Sequence, residues 1–393
     1  MNDVNDYRNL FPHTGKNIIY LNHASISPLS SRVTSSIKEF VDRQSFGDIE
    51  FYVPALEKLQ ETRAYLARLI KAKPSEISFQ SNTSEGLNFL VNSIKWKRGD
   101  RIISYDQEFP AVTQPLLKLK KEGVEIDFLK SRDGRLDADD LLRAIKPTTH
   151  LVSISHVQFL NGFRSDIETI GKFCHEKGIL FCVDVIQSAG VFQIDVNRMK
   201  IDFLSCGGHK WLMGPQGTAF MYVSEELRSM ISQPYRGWMS VEKPFDYFNF
   251  ENPLINDSRR YEYGTLNLMG IYGLCESVKL ILEIGLSTIE QKVIETNRHL
   301  LKQLQVMGYR FAMKYEPEHL SGIVSFYAQE PYEIAKKLKE RKIQVAARDK
   351  FIRVSPHFYN TKEEIDDFLA ALKEVEYKIK FEKSKVMYPA GIV

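Results

Sequence analysis

The stretch SCGGHKWLMGPQGTAFMYV, residues 205 to 223, places a histidine and a lysine in a segment that is otherwise mostly small and apolar. Glycines lie on both sides of the basic pair, and the run from Thr218 to Val223 has the composition of a buried strand. A lysine in such surroundings is costly unless its charge is matched or its amine takes part in chemistry. Lys210 is therefore a candidate functional residue, and the segments around it indicate which chemistry it serves.

Strand-like runs alternate with helical patterns on both sides of this stretch. Several runs are nearly continuously hydrophobic and rich in Ile and Val, as parallel strands buried on both faces are. Leu87, Leu90, Val91 and Ile94 mark the buried face of one intervening helix. This alternation predicts an α/β fold with a mostly parallel sheet. The predicted strands are ISFQS (77–81), RIISYD (101–106), EIDFL (125–129), HLVSISHVQF (150–159), ILFCVDV (179–185), DFLSCG (202–207) and TAFMYV (218–223).

Past residue 265 the pattern changes to fewer strands and longer helices. We predict a large α/β domain over residues 20–265 and a smaller α+β domain over residues 266–393, to which the N-terminal segment 1–19 is added. The predicted elements of the second domain are a mostly apolar helix at 270–285, a helix capped by Ser287 and Glu290 that runs to about Met307, strands at 322–328 and 350–355, and a last helix capped by Thr361 and Glu364.

Composition and charge exclude several classes of function. The chain has 393 residues, of which 43% are hydrophobic and 26% charged, which is the balance of a soluble globular protein. A net charge of +3 gives no strong field that would favour nucleic acid or an acidic membrane. No apolar run has the length of a signal-peptide core or a membrane span. We therefore expect a cytoplasmic enzyme with neither nucleic acid nor membrane as a partner.

The four cysteines, Cys174, Cys182, Cys206 and Cys275, lie among apolar or small residues and form no CxxC pair. Zinc sites have closer ligand spacing than these cysteines offer. We expect four reduced, buried thiols and no metal site.

Polar residues follow the predicted strands at their carboxyl ends, where open α/β sheets bind ligands. After the first strand, Asn82 or Thr83 can cap a helix, with Glu85 three residues past Asn82. The Thr83 and Ser84 hydroxyls at a helix N-terminus suit a phosphate, although an ordinary cap uses the same residue types. Asp184 follows an apolar strand and needs a cation nearby, from a cofactor or from an arginine.

An anion site, a buried carboxylate and a buried lysine match the needs of pyridoxal 5′-phosphate. Asp184 would keep the ring nitrogen protonated, and Lys210 would hold the cofactor aldehyde as a Schiff base and then transfer protons. Phe109 would stack on the ring, or pack in the core instead. His209 would contact the phosphate or orient Lys210, and a purely structural role is equally compatible with its position beside glycines.

These motifs resemble the class V aminotransferase family of pyridoxal-phosphate-dependent enzymes, of fold type I. That family includes cysteine desulfurases, selenocysteine lyases, kynureninases and isopenicillin N epimerase-like proteins. The most specific match is VDVIQSAG (183–190) followed by GGHKWLMGPQG (207–217), and the resemblance extends from residue 20 to residue 366. It implies a mostly parallel seven-stranded sheet with a smaller α+β C-terminal domain, and pyridoxal 5′-phosphate as the cofactor.

The resemblance also implies roles for single residues. Lys210 matches the Schiff-base lysine and Asp184 the acid at the ring nitrogen, so these two would be catalytic. Arg353 matches the arginine that grips the substrate α-carboxylate, a bidentate task suited to a guanidinium. Asn22 and His23 would lie near the substrate. The further cofactor contacts would be Thr83, Ser84 and His209 at the phosphate, Phe109 on the ring, Gln187 near the ring hydroxyl, and Thr265 from the neighbouring subunit of a homodimer with shared sites.

The chain departs from the cysteine desulfurases at several of these positions. Phe109 stands where many of them stack a histidine, and Phe159 stands where they have an asparagine at the ring hydroxyl. Gly207 replaces a serine that donates to the phosphate, a role that Ser205 would take over. No cysteine occurs between residues 343 and 353, where a desulfurase carries its sulfur-accepting nucleophile. Persulfide-forming activity is therefore not expected.

The leading interpretation is an aminotransferase of class V type that acts on an α-amino acid through Lys210. The alternatives are a C–S lyase or an amino-acid epimerase, because both also begin with transfer of the α-proton to the lysine. A non-catalytic cofactor-binding protein would lack Lys210 or Arg353, and both are present. A nicotinamide-dependent dehydrogenase would carry GxGxxG after an early strand, where this chain reads SNTSEG and YDQEFP.

Overall fold

A computed structural model of the chain describes residues 4–47, 49–50 and 52–387. The strands of this part form three sheets. In chain order they are β1 (Ile19–Tyr20), β2 (Ile77–Gln80), β3 (Arg101–Tyr105), β4 (Glu125–Leu129), β5 (Thr149–Ser155), β6 (Leu180–Asp184), β7 (Phe203–Gly207), β8 (Ala219–Val223), β9 (Val324–Tyr327), β10 (Ile343–Gln344), β11 (Ala346–Arg348) and β12 (Phe351–Val354).

Helices connect the strands and cover the sheets, and short 3₁₀ turns join several of them. The α-helices of the described part are α1 (Ser31–Phe46), α2 (Tyr52–Ile70), α3 (Thr83–Ser93), α4 (Pro110–Leu119), α5 (Ala138–Ala144), α6 (Ile167–Glu176), α7 (Glu225–Met230), α8 (Leu268–Ile284), α9 (Leu286–Val306), α10 (Pro331–Glu340) and α11 (Lys362–Met387). None of the helices in the described residues is both long and apolar enough to cross a membrane.

The central sheet contains β2 to β8 in the order β2-β8-β7-β6-β5-β3-β4. All pairs between β3 and β7 are parallel, whereas β8 is antiparallel to both of its neighbours, β2 and β7. The predicted mostly parallel seven-stranded sheet is therefore confirmed. One predicted strand, 150–159, is too long, because the chain folds back after β5 and Val157 pairs with Arg164 in an isolated antiparallel bridge.

Alternate residues of the central strands face two different helical layers. Leu151 and Cys182 belong to the apolar cluster that includes α3 and α4. Val152 and Val183, one position further along each strand, belong to the cluster that includes α6 and α8. The period of two residues in a strand thus buries both faces of these central strands, which is why their sequence runs are nearly continuously apolar.

A second core lies beneath a smaller antiparallel sheet of order β11-β12-β9, and β1 pairs in parallel with β10. This core includes Leu300 of α9, Ile334 of α10 and Phe368 of α11. In contrast, Leu274 of α8 and Ile289 of α9 belong to the core of the central sheet. Helix α9 therefore contributes side chains to both cores, and the domain boundary at residue 265 stays a prediction.

Of the two capping boxes predicted past residue 265, one is present in the structure and the other is not. At the start of α11, the Glu364 N–H donates to the Thr361 hydroxyl at 3.3 Å, and the Thr361 N–H donates to the Glu364 carboxylate at 3.2 Å. The box at Ser287 and Glu290 is absent. Gly285, with a φ of +88°, ends α8 and directly precedes α9, so the two helices meet without a loop and no side chain caps α9.

Candidate active site

The candidate site lies at the edge of the central sheet where the parallel strands end. β2 points the same way as β7, because each is antiparallel to β8. Segments that follow β2, β3, β6 and β7 therefore converge at this edge. They enclose a cavity of about 270 Å³. Its lining residues are Ala24, Ser25, Asn82, Thr83, Ser84, Phe109, Ala111, Phe159, Asp184, Ile186, Gln187, His209, Lys210, Arg348 and Arg353.

One end of the cavity is formed by the N-terminus of α3. Asn82 caps this helix, since its side-chain oxygen accepts a hydrogen bond from the Glu85 N–H at 2.9 Å. Gly86 lets the helix lie close to β7, because a Cβ at this position would be 2.5 Å from the Ser205 hydroxyl oxygen. The Thr83 hydroxyl is buried and has no hydrogen-bond partner within the described chain. A helix N-terminus with an unpaired buried hydroxyl fits a phosphate group.

Lys210 lies three residues after β7 and also lines the cavity. It is 8% exposed, and its Nζ lies 5.4 Å from the centroid of the Phe109 ring. The described residues offer this amine no hydrogen bond and no ion pair. Burial lowers the pKa of Lys210 to about 8, although the charge of Asp184 acts in the opposite direction. A substantial neutral fraction near neutral pH makes the amine a good nucleophile.

Asp184 ends β6 and is buried at the base of the cavity. One carboxylate oxygen accepts a hydrogen bond from the Ile186 N–H at 2.9 Å. Burial raises the pKa of Asp184 to about 6, while this hydrogen bond and the charge of Lys210 act to lower it. A cation at the other carboxylate oxygen, such as a protonated ring nitrogen, would hold the group ionised.

Two hydrogen bonds orient the amide of Gln187. Its Oε1 accepts from the indole N–H of Trp211 at 2.8 Å, and its Nε2 donates to the carbonyl oxygen of Ala24 at 3.0 Å. An indole N–H can only donate and a carbonyl oxygen can only accept, so the orientation of the amide is determined. One N–H of Gln187 remains for a group in the cavity, and its contact to a ring hydroxyl stays a prediction.

Glu108 is a buried carboxylate next to Phe109 that sequence reasoning missed. It accepts hydrogen bonds from the Ser155 N–H at 2.7 Å, from the Gln158 amide at 2.8 Å and from the Ser155 hydroxyl. Burial raises the pKa of Glu108 to about 7, although these hydrogen bonds act to lower it. The three bonds tie the turn before α4 to the end of β5, and they thereby position Phe109 at the cavity.

Two arginines from the hairpin of β11 and β12 meet at Ser25. Arg353 is 1% exposed and donates to the Phe159 carbonyl oxygen at 2.6 Å and to the Ser25 hydroxyl oxygen at 2.6 Å. Arg348, which was not predicted, donates to the same hydroxyl oxygen at 3.0 Å. Neither arginine has a carboxylate partner in the described part of the chain. Burial lowers the pKa of Arg353 to about 9, and the charge of Arg348 adds to this effect.

Ser205 does not take the place of the missing phosphate donor. Its hydroxyl is buried behind α3 and donates to the Thr83 carbonyl oxygen at 3.0 Å. A Cβ at Gly207 would lie 3.1 Å from Cε1 of His209, so the imidazole occupies the space that a serine at 207 would need. Burial and the charge of Lys210 lower the pKa of His209. The neutral imidazole has one N–H to donate within the cavity.

Two residues predicted near the substrate do not line the cavity. His23 is fully buried, and its ring nitrogens lie 2.9 Å from the Ser355 carbonyl oxygen and 2.6 Å from the Tyr359 hydroxyl. Both hydrogen-bonding positions are thus used within the core, and the structure does not support direct substrate contact by His23. Asn22 does not line the cavity either, although its side-chain oxygen accepts a hydrogen bond from the hydroxyl of the lining residue Ser25 at 2.7 Å.

Thr265 also lies outside the cavity of its own chain. It is exposed and lines a separate surface pocket with Tyr263 and Asn267. A contact between Thr265 and the phosphate would therefore require a second subunit, and this contact stays a prediction.

The four cysteines are free and buried, as predicted, and none of them lines the cavity. Burial raises the pKa of Cys174 and of Cys182 to about 12, and it also raises the pKa of Cys206 and Cys275. The thiols are therefore protonated and unreactive at physiological pH.

The chain matches known proteins over nearly its whole length. A probable cysteine desulfurase of Pyrococcus abyssi is 31% identical over 94% of this chain and 97% of its own. An uncharacterised aminotransferase of Bacillus subtilis is 30% identical over 91% of this chain and 94% of its own. The apo structure of a cysteine desulfurase from Thermococcus onnurineus is 28% identical, with a TM-score of 0.88 over 95% of this chain and 98% of that chain.

The family model described as aminotransferase class-V matches residues 19–368. That range contains all the residues that line the cavity. The chain therefore belongs to the class V aminotransferase family of pyridoxal-phosphate-dependent enzymes.

Proposed function

We propose that the protein is a pyridoxal-phosphate-dependent lyase that acts on an α-amino acid and releases the sulfur substituent on its β-carbon. The observation that carries the proposal is the convergence of Lys210, Asp184 and Arg353 in one cavity. When bound, pyridoxal phosphate supplies an aldehyde that joins amino groups and a ring that withdraws electrons from the α-carbon. The N-terminus of α3, the Asp184 carboxylate and the Lys210 amine correspond to the three groups that this cofactor requires.

The surroundings of Arg353, Lys210 and Asp184 suggest a separate role for each side chain. Arg353 would hold the α-carboxylate of the substrate through its guanidinium. Lys210 would take the α-proton, because its buried amine has a pKa of about 8 and is within reach of the cavity. Asp184 would remain ionised and hold the proton on the ring nitrogen. The Cβ–S bond then breaks with its electron pair going to sulfur, and addition of water yields a thiol, pyruvate and ammonia.

The comparisons support a reaction at a carbon–sulfur bond, since a relative at 31% identity is named a probable cysteine desulfurase. The cysteines of this chain argue against a persulfide held on the protein. All four are buried away from the cavity. We infer that the sulfur-containing product leaves directly into solvent.

An aminotransferase is the second candidate, and the uncharacterised aminotransferase of Bacillus subtilis favours it. Lys210 would then pass the α-proton to the cofactor, and no β-substituent would leave. An epimerase would instead return a proton to the α-carbon. The three reactions use the same residues up to this point, so products must distinguish them.

The experiment incubates the cofactor-loaded protein with L-cysteine and S-alkyl-L-cysteines, with and without added keto acids. We expect pyruvate, ammonia and the sulfur product in equal amounts, hydrogen sulfide from L-cysteine and a thiol from the S-alkyl-L-cysteines, without any requirement for a keto acid. Lys210→Ala should abolish product formation, whereas Lys172→Ala, at an exposed lysine of α6, should not. Transfer of the amino group only when a keto acid is present would favour the aminotransferase. Loss of optical activity without other products would favour the epimerase.

We also propose a homodimer whose sites are shared between subunits. The segment 244–250 exposes several aromatic rings, among them Phe248 at 88% and Phe250 at 90% exposure. Contiguous exposed aromatic surface is typical of a protein interface. Thr265, exposed on the same chain, would then reach the phosphate site of the partner subunit.

A further inference from the structure

The cavity holds more positive charge than the proposed reaction needs. Arg348 and Arg353 both line it, and both donate to the Ser25 hydroxyl oxygen, at 3.0 and 2.6 Å. The two donating nitrogens can therefore be no more than 5.6 Å apart, the sum of these distances. Two guanidinium groups this close in a largely buried position repel each other.

Protein groups do not relieve this repulsion. The Ser25 hydroxyl is neutral, and its own hydrogen points to the Asn22 side-chain oxygen at 2.7 Å. Neither arginine forms an ion pair within the described residues, and the Nε of Arg353 is buried without a partner. Bound anions would stabilise two unpaired guanidinium groups that lie this close together.

The charges of the bound state can be matched one by one. Among the lining residues Asp184 is the only carboxylate, and the proposed function assigns it to the cofactor ring. The phosphate belongs to the N-terminus of α3 and to His209, and Lys210 is a free, neutral amine once the substrate amino group has replaced it on the cofactor. The α-carboxylate of the substrate supplies one negative charge for Arg353. Arg348 is left without a counter-ion.

We propose that Arg348 binds a second anionic group, at the end of the substrate side chain, so that the enzyme prefers α-amino acids with a carboxylate or sulfinate side chain. This inference rests on the proposed function, because it needs the cofactor and the α-carboxylate in place. The guanidinium suits the task, since its planar fork binds two oxygens of such a group at once. Arg348 is thereby a specificity-determining residue, while Arg353 serves every α-amino acid.

The test uses two probes of nearly the same size, S-carboxymethyl-L-cysteine and its neutral amide, S-carbamoylmethyl-L-cysteine. Binding of each to the cofactor-loaded protein is measured by stopped-flow absorbance of the cofactor band, before any product forms. We expect the acid to bind roughly 10- to 100-fold more tightly than the amide. Arg348→Met should bring this ratio close to one, and Arg348→Lys should retain part of it. Arg143→Met, at an exposed arginine of α5, should leave the ratio unchanged.

Equal binding of acid and amide to the wild-type protein would overturn the inference. So would an equal loss of affinity for both probes in Arg348→Met, because both arginines would then grip the α-carboxylate. A protein with no cofactor band, or with a band that no amino acid perturbs, would overturn the proposed function as well. If the cofactor band is normal and responds to amino acids, but the acid and the amide bind equally well, only the inference about Arg348 is overturned.

Discussion

The indole N–H of Trp211 donates to the side-chain carbonyl of Gln187 at 2.8 Å and so fixes which end of that amide faces the cavity. Trp211 is fully buried and follows Lys210 directly in the chain. One segment therefore supplies both the reactive amine and the support for a cofactor contact. The free N–H of Gln187 can donate to an ionised ring hydroxyl, which makes the hydrogen bond charge-assisted.

Trp211→Phe removes this donor and keeps an aromatic ring in place. We expect the affinity for pyridoxal phosphate to fall about tenfold, or about 1.4 kcal/mol, because the amide of Gln187 becomes free to rotate. The pH at which the visible band of the bound cofactor titrates should also shift. Trp96→Phe is the matched control, since the Trp96 indole donates to the Val91 carbonyl oxygen, outside the cavity. Unchanged affinity and titration in Trp211→Phe would contradict the assigned role.

Thr83→Val tests the phosphate end of the cavity. The Thr83 hydroxyl is buried without a partner, so its removal leaves the apo protein as stable as before or slightly more stable. Cofactor affinity should fall about tenfold, because the phosphate loses a donor. Urea unfolding of the apo protein and cofactor titration measure the two effects separately. A marked loss of apo stability with normal cofactor binding would show that the hydroxyl serves the fold instead.

The pH dependence of cofactor attachment follows from the environment of Lys210. Burial lowers the pKa of its ammonium group to about 8, and only the neutral amine attacks an aldehyde. The rate at which pyridoxal phosphate joins the apo protein should therefore rise about tenfold per pH unit below pH 8 and level off above it. Stopped-flow absorbance measures this rate. A rate that still rises at pH 10 would indicate an ordinary, solvent-exposed lysine.

Mixing of variants tests the shared site. Lys210→Ala subunits lack the reactive amine, and Thr265→Asp subunits would place a negative charge beside the phosphate of the partner. In a mixed dimer, one of the two sites contains both wild-type residues, so activity should reappear on mixing two inactive variants. Light scattering should give a mass of about twice 45.4 kDa. No recovery in a mixed dimer would place Thr265 in the site of its own subunit, and full activity of Thr265→Asp alone would place it outside the site.

The sequence predicts the strands of the central sheet well, apart from the end of β5, because strands depend on local pattern. Strands β2 to β8 coincide with the predicted runs, Asp184 is the last residue of β6, and Lys210 lies three residues after β7. Parallel strands end at one edge of a sheet. The residues that follow them can therefore be predicted to lie close together before the packing of the side chains is known. The same reasoning correctly brings Thr83 and Phe109 to that edge.

The site residues that could not be predicted from the sequence are brought together by contacts between distant segments. Arg348 and Ser25 lie 323 positions apart and meet only because the hairpin of β11 and β12 packs beside the N-terminal segment. A usable signal did exist within that hairpin. Ala346 pairs with Arg353, and Arg348, two residues after Ala346, lies on the same face of the sheet. His23 shows the opposite case, since its motif points to the substrate while core hydrogen bonds hold its ring elsewhere.

Covalent attachment of the cofactor to Lys210 is the step on which the proposed chemistry depends. Borohydride reduction of the cofactor-loaded protein, followed by proteolysis and mass spectrometry, measures which lysine carries the pyridoxyl group. We predict a single modified peptide that contains Lys210, and no modified peptide from Lys210→Arg. A pyridoxyl group on any other lysine of the wild-type protein, or on none, would contradict the assignment of the active site.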